Sequence, residues 1–246
     1  MDSLIWIFPL LLLVAFLYSA VGHGGASGYL ALMALYGVAP EVMKPTALLL
    51  NLFVSLTSFT FYYRGKFFNK NLFLPLAIAS IPMAFIGGSM AIHSDVYRKM
   101  LGILLLIPAA RFLFWKDQQV EETANPKIIW LLLIGASIGL LSGMLGIGGG
   151  VILSPILLSL RWTNQKQTAA ISALFIFVNS LAGLLGQFQK GISFSPDMTA
   201  YVVIAFVGGL LGSYFGAMHF PQRAIKILLG VVLAIAAFKL FLPNLF

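Results

Sequence analysis

The chain has 246 residues, 60% hydrophobic and only 9% charged, with a mean hydropathy of +0.99, so it cannot supply the polar surface a soluble domain of this length needs. Its formal net charge of +8 comes from 15 Lys/Arg against 7 Asp/Glu, and because the bases sit at the ends of apolar segments they read as interfacial anchors and not as a nucleic-acid footprint. The absence of cysteine excludes disulfides, iron–sulfur clusters and Cys-ligated metals.

Taken in order, the first half holds apolar segments at 4–21, 27–37, 41–61, 72–92 and 97–115. A polar stretch, WKDQQVEETANPK at 115–127, follows. The second half holds segments at 128–145, 151–160, 168–187, 199–218 and 223–242. Most match the roughly 20 residues a helix needs to cross hydrocarbon, and no ~10-residue alternating strands of a barrel occur. The expected fold is an all-α polytopic membrane protein. It divides into a first repeat (1–115), a polar linker (116–127) and a second repeat (128–246). Each repeat has four spanning helices plus one short or broken helix.

The two halves resemble each other. Gly22, Gly24 and Gly25 fall on Gly146, Gly148 and Gly149 at an offset of 124. The offset becomes 126 where Arg64-Gly65 meets Lys190-Gly191 and His93 meets His219. It becomes 128 where Leu101-Gly102 meets Leu229-Gly230 and Arg111 meets Lys239. Five crossings per half would invert the second copy, and four would not. With five, one side holds Arg64, Lys66, Lys70, Arg111, Lys116, Lys127, Arg161, Lys166, Arg223 and Lys226. The other holds Lys44, Arg98, Lys99, Lys190 and Lys239. Ten against five favours inverted repeats with the linker cytoplasmic and both termini outside, whereas four crossings split the bases 8 to 7.

Each half interrupts its apolar run with glycine, as SAVGHGGASG at 19–28 and SGMLGIGGGV at 142–151. Non-helical backbone survives in a bilayer only inside protein or beside a water-filled cavity. The short helix that follows each break aims free N–H groups and a partial positive charge at it. Paired breaks at matching places in two repeats point to a transporter's substrate site, and to an anion as its occupant. Close helix packing is the competing explanation, and it is preferred for the isolated pairs Gly87-Gly88 and Gly208-Gly209. A nucleotide-binding loop is rejected for want of a strand and a βαβ unit.

Gly146-Ile147-Gly148-Gly149-Gly150 with Pro155-Ile156-Leu157, the stretch TAAISALFIFVNS at 168–180, and the basic–glycine pair after each third segment carry a resemblance. Together they resemble the TauE/SafE (sulfite exporter) transmembrane family, across essentially the whole chain. The resemblance implies a multi-pass permease of the cell inner membrane, exporting sulfite, organosulfonates or related sulfur-containing anions. The first copy departs from the fuller glycine form, with Ala26 in place of a glycine and His23 added.

The candidate substrate-binding residues are Ser19, His23, Gly24 and Gly25 at the first break and Gly148, Gly149 and Gly150 at the second. Thr46, Asn51 and Ser55 join them on the third segment of the first half. Ser172 and Asn179, with Ser180, are read as their counterparts in the second half. Hydroxyl and amide donors can hold an oxyanion without a buried cation, and interhelical hydrogen bonding is the bland alternative. His23 is the proton-coupling candidate, although carbonyls freed at the kink could equally satisfy it. His93 and His219 read as interfacial. Lys44 is either an anion-attracting residue at a mouth or a partner of Glu41. The expected function is a secondary transporter of a small anion, with no cofactor or metal. Its partners are that anion and the lipid bilayer; no nucleic acid is expected, and self-association is left open. An anion channel of the same architecture is the alternative. An intramembrane enzyme lacks a nucleophile–base set in the sequence, and a scaffold leaves the paired breaks unexplained.

Overall fold

The computed structural model describes residues 7–20, 25–114, 124, 126–189, 191, 196–219 and 222–241, and among these it holds ten helices and no strand. They are α1 (Ile7–Ala20), α2 (Ala26–Leu35), α3 (Pro40–Arg64), α4 (Lys70–Ser89), α5 (Ser94–Phe114), α6 (Ile128–Leu145), α7 (Gly150–Ser159), α8 (Gln165–Phe188), α9 (Pro196–His219) and α10 (Gln222–Phe241). Local chemistry sets several of the ends. Asn164 and Gln167 form a reciprocal capping box that starts α8, and the Asn69 side chain accepts from Asn71 N at the start of α4. Among the described residues, α3, α4, α6 and α8 are long and apolar enough to cross a membrane.

Small polar side chains are buried within the apolar core, and large apolar ones stand exposed outside. Asn51, Ser55, Ser142, Asn179 and Ser180 are fully buried, while Ile78, Ile103, Ile128 and Leu133 are more than half exposed. Lipid can accept that exterior and water cannot.

The halves interlock. α4 lies along α6 and α9 lies along α1; α3 crosses α8, and α5 pairs with α10. Glycines permit the closest of these approaches. A Cβ on Gly135, Gly139 or Gly143 of α6 would overlap the main-chain oxygen of Leu76, Ser80 or Ala84 on α4, so those two helices run parallel in near backbone contact. Gly208 and Gly212 of α9 meet the oxygens of Leu12 and Phe16 on α1 in the same parallel sense. Gly87 and Gly88 press on Leu140 and Gly183. The paired glycines are therefore packing positions, as the sequence suggested.

The other pairs run antiparallel. On α3 and α8, Leu48 neighbours Gly183 and Asn51 bonds Ser180. On α5 and α10, Gly102 neighbours Phe241 while Phe112 and Leu113 neighbour Gly230.

The short helices turn back on their predecessors and do not extend them. Gly28 of α2 abuts both Tyr18 and Val14 of α1, and Tyr18 Oη lies 2.9 Å from Ser27 Oγ. A helix continuing onward would leave residue 28 many ångströms from residue 14 at 1.5 Å per residue. Gly149 likewise sits against Ile138 and Ser142 of α6. Each half thus opens with a helical hairpin whose tip is the glycine break, followed by three long helices.

Candidate functional site

The second break is the better defined of the two tips. Gly146 ends α6 in the left-handed region at φ 79°, its N–H donating to Ser142 O at 2.8 Å. Gly148 at φ 71° and Gly149 at φ 80° continue the reversal, and Gly150 opens α7. Three left-handed residues within four positions demand glycine, because a Cβ there costs about 1–2 kcal/mol each.

Sterics demand it again. A Cβ on Gly148 would lie 2.8 Å from Asn51 Nδ2, 2.8 Å from Ile176 Cγ2 and 3.0 Å from Ser180 Oγ. The tip therefore presses its backbone onto the α3–α8 crossing. There Asn51 Nδ2 donates to Ser180 Oγ at 3.3 Å across the two halves, and Ser55 Oγ donates to Asn51 O at 2.5 Å. Around this point buried polar atoms lack partners: Asn51 Oδ1, Asn179 Oδ1 and Ser142 Oγ. Such atoms are costly in a dry interior, and a bound polar ligand or water would relieve them.

At the first break, Gly25 (φ 69°) caps the N-terminus of α2. A Cβ there would meet the Tyr29 hydroxyl at 2.6 Å, so the phenol lies directly over the turn. Tyr29 is wholly buried and its hydroxyl is unpartnered. Ser19 Oγ, at the end of α1, is also buried without a partner. Gly209 touches both Ser19 and Val54, which places the end of α1 one turn from Asn51 along α3. His23 and Gly24 lie outside the described residues.

The structure brings Asn51, Ser55, Asn179, Ser180 and Gly148 to one region and leaves others aside. Thr46 spends its hydroxyl on Val42 O at 2.6 Å within its own helix. Ser172 lies 2.9 Å from Ser154 Oγ, linking α8 to α7 one turn below Gly150. His93 is an exposed residue 3.8 Å from Asp95. Lys44 Nζ rests 4.6 Å over the Tyr97 ring, and no cluster of metal-ligating side chains occurs among the described residues.

Tyr29 and Ser142 carry unpartnered polar atoms that sequence reasoning did not single out as site residues. Tyr29 reads as core because it stands in an apolar run. Its only flag in the sequence is its place four residues after Gly25, one helical turn.

Comparison with known proteins fits this arrangement. The family profile described as Sulfite exporter TauE/SafE matches residues 7–240. The probable membrane transporter protein y4hK of Sinorhizobium fredii is 35% identical over 232 residues, covering 92% of this chain and 94% of its own. A probable membrane transporter protein of Methanocaldococcus jannaschii is 27% identical over 194 residues, covering 73% and 72%. The probable membrane transporter protein YunE of Bacillus subtilis is 24% identical over 229 residues, covering 85% and 84%. No solved structure matches. With a profile match over nearly its whole length, the chain belongs to the sulfite exporter TauE/SafE family of membrane transporters.

Proposed function

We propose that this transporter is a secondary exporter of a small sulfur-containing anion, sulfite or an organosulfonate, built as two inverted repeats in the inner membrane. The observation that carries the reading is Gly148. Its left-handed backbone is pressed against Asn51 and Ser180, which bond one half to the other amid unpartnered buried polar atoms. The amide and hydroxyl groups supply donors once an anion orders them, and the N-termini of α2 and α7 add partial positive charge. The atoms nearest an added Cβ on Gly148 belong to the Asn51 amide, Ile176 and the Ser180 hydroxyl, so the anion would be held by neutral donors and released readily. The family and the printed names of its relatives support transport.

Inversion is supported by direction. Counterpart helices α3 and α8 cross antiparallel, as do α5 and α10, which a two-fold axis in the membrane plane requires. With α1–α2 and α6–α7 as returning hairpins, three long helices per half keep the crossing number odd. The ten-to-five distribution of basic residues then survives, with the linker cytoplasmic. The two hairpin tips would enter from opposite faces.

The test is flux of radiolabelled sulfite, thiosulfate, taurine and sulfoacetate in proteoliposomes. Saturable flux with counter-transport of at least one of them is expected. Non-saturating conductance would argue for a channel, and no flux of any would remove the substrate assignment. Gradient coupling is assigned to His23. His23→Gln is expected to abolish pH-driven accumulation while leaving exchange intact, and retained accumulation would end that role.

A further inference from the structure

A cavity lies between the ends of α2 and α10 and the starts of α3 and α5. It has a volume of about 220 Å³ and is lined by Ala34, Gly37 and Val38 after α2, Pro40 and Met43 on α3, Tyr97 and Arg98 on α5, and Lys239 on α10. All of these belong to the face opposite the linker, where the end of α2, the starts of α3 and α5 and the end of α10 converge. Two of the lining side chains are cations and none is acidic. Glu41, one residue beyond the rim, accepts from Ser94 Oγ at 3.4 Å.

Structural needs do not consume this charge. The last four carbonyls of α2 are satisfied: Leu32, Ala34 and Met33 accept the N–H groups of Tyr36, Gly37 and Val38, and Leu35 O accepts Lys239 Nζ at 2.7 Å. One such bond leaves an ammonium two further donors. Arg98 makes no ion pair or hydrogen bond among the described residues, although it is only part exposed. A guanidinium held at the wall of a cavity without a carboxylate is suited to an oxyanion.

The cavity also adjoins the central site. Tyr97, wholly buried, forms its wall and donates its hydroxyl to Leu145 O at 3.1 Å, the residue before Gly146. Lys44 packs on Tyr97, its ammonium over the ring and its main chain 3.0 Å from where a Cβ on Gly146 would stand.

We propose that this cavity is a vestibular anion site, in which Arg98 and Lys239 hold the transported oxyanion on the face opposite the linker, one tyrosine away from the second glycine break. This rests on the transport reading above, and the two can fail separately. Lys239 also ties α10 to the end of the first hairpin, so Arg98→Gln is the cleaner probe, with Lys99→Gln, an exposed base that does not line the cavity, as its control.

The experiment measures sulfite flux in right-side-out and inside-out membrane vesicles. Arg98→Gln is expected to raise KM on the face opposite the linker by roughly 3- to 10-fold, the size of one charge-assisted contact, with the other face's KM unchanged. Lys99→Gln should stay near wild type. A KM on the face opposite the linker unchanged from wild type in Arg98→Gln would overturn the vestibular site while leaving the central one standing. Equilibrium binding of labelled sulfite to solubilised protein gives an independent readout. Gly148→Leu should retain residual binding that the double variant with Arg98→Gln loses, and no residual binding in Gly148→Leu also overturns the proposal. If Arg98→Gln lowers only the retention of phosphatidylglycerol, the cavity holds a lipid phosphate and the proposal fails.

Discussion

Tyr29 separates a ligand-facing role from a structural one with a single atom. Its hydroxyl has no protein partner and lies against Gly25 at the first tip. Removing a bonded buried hydroxyl would destabilise by about 1–3 kcal/mol, but removing an orphan one should leave stability unchanged or slightly raised. Tyr29→Phe is therefore expected to raise KM for sulfite several-fold with no fall in melting temperature, read by flux and by thermal unfolding in detergent. A fall in melting temperature at unchanged KM would make it a core residue. Thr46→Val should be near silent in transport, because that hydroxyl serves only Val42 O. The glycines were legible in the sequence because few side chains tolerate φ near 70–80°, and their clustering is visible in one dimension. Tyr29 and Ser142 were not, since their significance is the lack of a partner, which only three dimensions reveal.

At the level of elements, glycine has two distinct uses here. On α6 it removes side chains so that α4 can approach to main-chain contact at Leu76, Ser80 and Ala84. At the tips it permits backbone reversal. Gly139→Leu should therefore lower the thermal stability of the solubilised protein, by about 1–3 kcal/mol or more for overpacking against rigid backbone, while the folded fraction keeps its KM. A loss of affinity without loss of stability would contradict that division. The sequence distinguished the two uses through clustering, and N-x-x-Q at 164–167 marked the start of α8. It could not say that α2 and α7 fold back. Ten apolar residues read alike whether a helix goes on or returns, and the answer lies in the contact of Gly28 with Val14.

For the whole molecule, the interlock of α4 with α6 and α1 with α9 means neither repeat closes a core alone. The inverted arrangement predicts the linker on one face and both termini on the other. Because the chain has no cysteine, Asp117→Cys and Ser94→Cys can be labelled without background. The first should react with an impermeant maleimide only from the cytoplasmic side and the second only from outside. Labelling of both from one side would refute the inversion. In the sequence, the repeat offsets and the basic residues point to this arrangement, and three and five crossings place every charge alike. The central claim, that the second tip and the α3–α8 crossing form the anion site, is tested most directly by sulfite flux through Gly148→Leu beside Gly191→Leu. Gly191 has nearly the same backbone, φ 73°, with no atom within 4 Å of an added Cβ, so it carries the backbone strain without the crowding. The account predicts that Gly191→Leu transports at close to the wild-type rate while folded Gly148→Leu falls at least about tenfold, a barrier rise of ~1.4 kcal/mol. Wild-type flux in folded Gly148→Leu would contradict it.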